Sequence, residues 1–236
     1  MRIGIVSDIH CNIAGLDCAL AAMGDVDELI CAGDAIYQFR FSNEVAARLR
    51  ERDARIIQGN HEETFFSRDG VRAQAAPWIQ ADLRDFLSAQ PLDLRVQVNG
   101  KRLLVVHGSP FDPHREYVYP NSPTLRRCAE IDDAEIVILG HTHYQMAERV
   151  GRVLVINPGS AGEPRDPRND FQLSFAILDT QTDEVQFGNF ADPTRAVSAS
   201  SDIHMTAWQP QGGTTGYGYD QAPKAGHDPW NGSLNV

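Results

Sequence analysis

An aspartate and a histidine two residues apart, Asp8 and His10, close the first apolar run of the chain, residues 2–7. At the mouth of a buried strand, a carboxylate and an imidazole are costly to desolvate unless something pairs with them. A divalent cation is the candidate partner, and later apolar runs end in more donors. Asp34 follows Ala32-Gly33, Asn60 and His61 follow Gly59, His107 precedes Gly108, and His141 and His143 flank Thr142. Five of the eight histidines occupy these turns. Imidazole together with carboxylate and amide oxygen suits first-row ions such as Mn, Fe, Co, Ni or Zn. Magnesium or calcium alone favours more oxygen and less nitrogen. Seven donors (Asp8, His10, Asp34, Asn60, His107, His141 and His143) are too many for one tetrahedral ion and suit two ions sharing a carboxylate.

The elements that must hold these donors follow from the pattern between them. Ile13, Leu16 and Leu20 recur at helical spacing over residues 13–23, and Gly24 ends the run. Residues 27–31 and 54–58 read as short strands, and residues 44–52 as a helix capped by Ser42 or Asn43. Strand, turn, donor and helix thus recur three times within sixty residues, an α/β alternation. Residues 72–89 read as one or two helices, with Pro77 setting a start or a break. The period then changes: residues 95–106 flank Asn99-Gly100, a type I′ hairpin signal. Ser122-Pro123 reads as a helix cap and first turn. Residues 135–139 and 153–156 read as buried strands, and 173–178 with 184–190 as a closing antiparallel pair. Two parts are expected: a body over residues 1–190 and an irregular C-terminal tail over 191–236.

Bulk properties narrow the function. A chain of 236 residues, 42% hydrophobic, buries a substantial core. A net charge of -11 argues against nonspecific nucleic-acid or membrane-surface binding, which needs a basic face. No apolar run approaches the roughly 18–20 residues of a membrane span. The first residues lack the basic-then-apolar plan of a secretory signal. Cys11, Cys18, Cys31 and Cys128 have no paired spacing, so a reducing cytoplasm is the expected location. The sequence sets no oligomeric state.

Taken together, SDIH (7–10), GD (33–34), GNHE (59–62), VHG (106–108) and GHTH (140–143) resemble the calcineurin-like metallophosphoesterase superfamily. HGSP with EYVYP (107–110, 116–120), NPGS (157–160), a PR pair (164–165) and FAILD (175–179) are similar to its small bacterial and archaeal phosphodiesterase-like members. The resemblance covers residues 1–190. It implies a four-layer α/β/β/α sandwich of two mixed sheets flanked by helices. It also implies a centre of two divalent transition-metal ions, manganese foremost, with Fe, Ni, Co or Zn compatible. One ion takes Asp8, His10 and His143; Asp34 bridges; the second takes Asn60, His107 and His141. His61 lies near the leaving-group oxygen, as general acid or as donor to the developing charge.

Two divalent ions bring +4 against -2 from Asp8 and Asp34 and -1 from a bridging hydroxide. The net of +1 draws in a phosphate ester despite the acidic exterior. Attack by that hydroxide needs no protein nucleophile, and no serine–histidine or cysteine–histidine pair stands out. The expected reaction is hydrolysis of a small-molecule or nucleotide phosphodiester. Phosphomonoester hydrolysis on the same site is the alternative, together with a non-enzymatic scaffold, which predicts lost ligands. Asn12 is expected either to cap the first helix or to touch substrate. Arg165 is a possible phosphate clamp. Tyr37, Phe39, Tyr117 and Tyr119 are candidates for a base- or aryl-binding wall. Two departures stand out. Cys11 replaces the usual glycine after the histidine. Residues 35–40 lack the Val-Asp-Arg-Gly that follows this aspartate in protein serine/threonine phosphatases and symmetrical diadenosine tetraphosphatases.

Overall fold

The computed structural model describes residues 1–195 and 203–208. Two sheets pack face to face. The first has the order β11-β10-β9-β1-β2-β3, built from β1 (Arg2–Val6), β2 (Glu28–Cys31), β3 (Arg55–Ile56), β9 (Leu173–Asp179), β10 (Glu184–Phe190) and β11 (His204–Trp208). The second has the order β4-β5-β6-β8-β7, built from β4 (Asp93–Val98), β5 (Lys101–Val106), β6 (Ile136–Ile138), β7 (Gln145–Val150) and β8 (Val153–Pro158). Both sheets are mixed: β1 runs parallel to β2 and antiparallel to β9, and β6 runs parallel to both β5 and β8. Parallel strands buried on both faces read as continuous apolar runs, as Ile-Val-Ile of β6 does.

Alternating residues sort into three cores. Ile3, Ile5, Ile30, Val105, Ile138 and Ile156 meet between the sheets. On the outer face of the first sheet, Val6, Phe175 and Ile177 pack against Leu16 and Ala19 of α1 (Ile13–Met23), Leu49 of α2 (Asn43–Glu51), Phe65 of α3 (Asn60–Phe66) and Leu83 of α5 (Ala81–Ser88), with Ala73 of α4 (Val71–Gln74) at its margin. On the outer face of the second sheet, Leu104, Val137 and Val155 pack against Leu125 of α6 (Pro123–Arg127). The result is the expected α/β/β/α layering.

Local signals explain the boundaries. The Asn12 side chain accepts the Gly15 N–H at the start of α1, and Ser42 and Ser122 cap α2 and α6 in the same way. Asn99 and Gly100 have φ of 50° and 81°, as a type I′ hairpin turn requires. Pro77 falls between α4 and α5, so the run over 72–89 is two helices. One expectation is corrected. The stretch read as an irregular tail contains β11, which pairs antiparallel to β10 from Asn189↔His204 to Val185↔Trp208. Its first four residues are exposed, so this edge strand carries no buried alternation for the sequence to display. Residues 196–202 and 209–236 of the tail lie outside the described residues. Among the described residues, no helix is long and apolar enough to cross a membrane.

Candidate metal centre

The parallel strands β1, β2, β5 and β6 end on one edge of the sandwich, and their following loops carry the chemistry. These loops are laced together by backbone hydrogen bonds: Asp8 N to Gly33 O, His10 N to Asp34 O, and Gly140 N to His107 O, at 3.0, 3.0 and 2.9 Å. Six non-glycine residues there (Asp8, His10, Cys11, Asp34, His141 and His143) have φ between 48° and 67°. Each such residue costs on the order of 1–3 kcal/mol and persists only where its surroundings over-determine it. Glycine is required where the loops touch. A Cβ on Gly59 would lie 2.2 Å from Asp34 Oδ1, and one on Gly140 2.1 Å from Ser7 Oγ.

Asp8 and Asp34 are divided between scaffold and cluster in the same way. Asp8 Oδ2 accepts the His141 N–H at 3.0 Å, while Oδ1 faces His143 Nε2 at 3.2 Å and His10 Nε2 at 3.8 Å. Asp34 Oδ1 accepts the His61 N–H at 2.9 Å, while Oδ2 faces His107 Nε2 at 3.1 Å and His61 Nε2 at 3.8 Å. The imidazoles are oriented by what their other nitrogen does. His107 Nδ1 donates to Ala32 O at 2.8 Å and His143 Nδ1 to Glu163 O at 2.6 Å, so each turns Nε2 inward toward the carboxylates. Asn60 Oδ1 lies 3.1 Å from His107 Nε2. His10 Nε2 and His143 Nε2 are 3.2 Å apart.

These distances are those of donors converging on a common centre. Asp8, His10 and His143 offer one set of ligand atoms within 4.8 Å of one another; Asp34, His107 and His141 offer a second, and His10, Asp34 and His61 a third. Asp8 Oδ1 and His141 Nε2 are buried with no hydrogen-bond partner among the described residues. Buried polar atoms are rarely left so, and a bound cation accounts for both. The donor set, imidazole-rich with two carboxylates and an amide oxygen, fits a pair of borderline first-row ions. All seven donors expected from the sequence are gathered here.

Electrostatics follow from packing charges without water. Burial alone would raise the carboxyls of Asp8 and Asp34, but His143 beside Asp8 and His107 beside Asp34 outweigh it and hold both well below the usual range. His107 responds in the opposite sense. Burial would lower it, but the Asp34 charge and hydrogen bond raise it to about 10. Burial lowers His10 and His141 to about 4, so both are neutral and ready to ligate near pH 7.

His61 stands at the rim with 16% of its side chain exposed. Its Nδ1 accepts the backbone N–H of Gln38 at 3.0 Å, which leaves Nε2 as the hydrogen-bearing nitrogen directed at the cluster. Burial lowers its pKa as well.

The remaining expected residues are placed as follows. Asn12 is committed to its cap, and its amide donates to Gly162 O and Asp192 Oδ1 at 3.2 and 3.3 Å. Arg165 pairs with Glu163 at 3.1 Å. Tyr37 covers His10 at 4.5 Å between ring centroids and His61 at 5.2 Å. Tyr117 stacks on His141 at 4.0 Å, half exposed, with Tyr119 parallel to it at 6.1 Å. Phe39 is exposed. Cys11, half-buried, donates to Arg40 O at 3.2 Å, and burial raises its thiol.

Two residues of the site were not assigned roles from sequence. Glu62, the last residue of GNHE, is buried and accepts the N–H groups of Asp34, Ile36 and Gly59 at 2.9, 2.9 and 2.8 Å. It ties the Asp34 loop to the start of α3. Burial, then the nearby Asp34 charge, raises its carboxyl to about 7. A glutamate at the third position of a helix start is a capping signal, but its reach to the Asp34 loop is not local information. Glu163 accepts from Tyr37 Oη at 2.8 Å and lies 3.7 Å from His10 Nε2. Nothing in its sequence context marks it except Arg165 two residues on.

Known proteins resemble the chain over most of its length. The calcineurin-like phosphoesterase superfamily domain matches residues 1–183. Phosphodiesterase MJ0936 of Methanocaldococcus jannaschii is 29% identical over 163 residues, 67% of this chain and 83% of its own. Phosphodiesterase YfcE of Escherichia coli K12 is 25% identical over 189 residues, 76% of this chain and 88% of its own. The crystal structure of a metallophosphoesterase from Sphaerobacter thermophilus superposes with a TM-score of 0.65 at 27% identity, covering 81% of this chain and 89% of that one. With a matching domain over most of its length and relatives named phosphodiesterases, the chain belongs to the calcineurin-like phosphoesterase superfamily of metal-dependent phosphoric ester hydrolases.

Proposed function

We propose that the protein hydrolyses phosphodiesters of small molecules or nucleotides at this cluster, using two divalent ions, with manganese preferred over Fe, Ni, Co or Zn. Asp8, His10 and His143 would hold one ion, Asn60, His107 and His141 the other, with Asp34 shared. When bound, the pair supplies an activated water and neutralises the charge that develops on the phosphoryl oxygens. The observation that carries this reading is the inward Oδ1 of Asp8, buried, without a hydrogen-bond partner among the described residues and ringed by imidazoles.

The chain's own residues do the rest. His61 presents Nε2–H toward the cluster and donates it to the leaving-group oxygen as charge develops there; its Gln38 contact favours a neutral donor over an imidazolium acid. Tyr117, lying flat on His141 with half its surface open, offers a face to an aryl group or base on the ester. The net charge of -11 supports a small substrate over nonspecific nucleic acid. All four cysteines are free thiols, which supports a cytoplasmic setting.

The test is a panel of bis(4-nitrophenyl) phosphate, 4-nitrophenyl phosphate and cyclic nucleotides with added Mn, Ni, Co, Zn or Mg. The expected result is diester turnover that exceeds monoester turnover, is highest with Mn and is abolished by chelator. Turnover that survives exhaustive chelation, or that favours the monoester, overturns the reading.

A further inference from the structure

Beside the cluster lies a charged group that the reaction above does not use. Glu163 Oε2 is 3.7 Å from His10 Nε2, accepts from Tyr37 Oη at 2.8 Å, and takes the Arg165 guanidinium at 3.1 Å. Its backbone carbonyl meanwhile accepts from His143 Nδ1 at 2.6 Å, which pins the residue to the cluster. The Arg165 guanidinium is therefore already paired, and the carboxylate that pairs with it stands on the cluster side; the other guanidinium at this edge, that of Arg40, is turned to the backbone carbonyl of His10 at 3.3 Å and to the Tyr37 ring. Tyr37, in ring contact with His10 and His61, fixes that carboxylate from a third direction.

We propose that Glu163 is the specificity-determining residue of this site: it withholds the Arg165 charge from the substrate, so that monoanionic diesters are accepted and dianionic monoesters are disfavoured. The inference rests on the phosphodiesterase reading and names what enforces it. A diester carries one negative charge at the phosphoryl group. A monoester near pH 7 carries between one and two, having a second pKa near 6. The additional charge meets the Glu163 carboxylate and finds Arg165 occupied. Replacing Glu163 by glutamine keeps an acceptor for Tyr37 and Arg165, removes one negative charge and frees one positive charge. Both changes favour the dianion.

The experiment measures kcat/KM for 4-nitrophenyl phosphate and for bis(4-nitrophenyl) phosphate in the wild type, E163Q and E163Q/R165M, all loaded with Mn. Binding of inorganic phosphate to each is followed by calorimetry, and metal content is measured per chain. The expected result is a monoester-to-diester ratio raised about tenfold in E163Q and phosphate bound about tenfold more tightly. Both gains should be lost in E163Q/R165M, with two ions per chain throughout. An unchanged ratio and phosphate affinity in E163Q overturns the proposal, as does a gain that survives removal of Arg165. Loss of an ion from E163Q also overturns it, by making Glu163 a ligand. If the wild type turns over no diester with any metal, the phosphodiesterase reading fails instead, and the calorimetric comparison still tests the role of Glu163.

Discussion

The two ends of the parallel strands treat charge in opposite ways. At the starts of β1, β2 and β6, three carboxylates each have a cation or N–H beside them in solvent. Glu28 takes Arg55 at 2.7 Å, Asp27 takes the Arg2 N–H at 2.7 Å, and Glu135 takes Arg102 at 3.4 Å. At the far ends of β1 and β2, Asp8 and Asp34 are buried among histidines, on left-handed backbone, and Asp8 Oδ1 has no hydrogen-bond partner among the described residues. The first end is ordinary surface, where an ion pair contributes little. The second is held in an unfavourable state that the rest of the fold must support, which marks where binding free energy is to be recovered.

Asp34 should produce the largest effect if that contrast is right. D34N removes the charge that the proposed centre shares between its two ions while keeping an oxygen for the His61 N–H. Metal content should fall below two per chain, with kcat/KM down by more than about 10³. Two ions per chain with activity intact would show that Asp34 is not shared. H61A comes next. It should retain both ions while turnover of diesters with poor leaving groups falls by about 10²–10³, the range for losing one donor to the developing charge. Wild-type turnover on such a substrate would remove His61 from the reaction.

How much of this was legible beforehand depends on whether the information was local. The donors were readable because each follows an apolar run and a turn, so a strand could be inferred to deliver it. The helix caps at Asn12, Ser42 and Ser122 and the Asn99-Gly100 hairpin were readable for the same reason. What escaped was non-local or without a pattern. β7 mixes Gln, Glu and Arg with its apolar residues. β11 is a nearly fully exposed edge. The commitment of Asn12 to Gly162 and Asp192, 150 and 180 residues away, has no signal near Asn12. The same holds for Glu62 across to Asp34 and for Glu163 against His10.

Glu62 sharpens the contrast in a different way, because it is a buried carboxylate at the site end that faces three backbone N–H groups and is no candidate ligand. E62A strands those three donors, at about 1–3 kcal/mol for each that finds no water. The Tm should fall by at least about 5 °C, on a scale of about 2–4 °C per kcal/mol for a chain of this size. Activity should drop because the Asp34 loop loosens. Thermal unfolding of the metal-free variant separates this from lost metal: the drop should persist with chelator present. A deficit that vanishes in the metal-free comparison would instead place Glu62 in metal binding.

The metal-free cluster should also reveal itself by protons. His107, raised to about 10 by Asp34 and Asp8, is protonated at pH 8, whereas His10 and His141, lowered to about 4, are not. Ligation requires neutral imidazole, so metal uptake at pH 8 should release at least one proton per chain, one from His107 and any further one from the bound water. Calorimetric titration in buffers of different ionisation enthalpy gives that number. Release of no protons would mean that His107 is neutral before metal arrives and that the carboxylates are not charged as described.

The smallest effect belongs to the opposite end and is the control on the whole comparison. R55A removes the guanidinium that pairs with Glu28, in a bridge whose partners are 44% and 22% exposed. Such a pair is worth about 0–1 kcal/mol, so Tm should move by no more than about 4 °C. Metal content and kcat/KM should stay at the wild-type values, since Arg55 starts β3 while Asn60 and His61 follow that strand's other end. A larger loss of stability, or any loss of metal, would mean that the two ends are coupled through the short strand β3. The left-handed loops would then owe their support to the surface pairs as well as to the hydrogen bonds at the site.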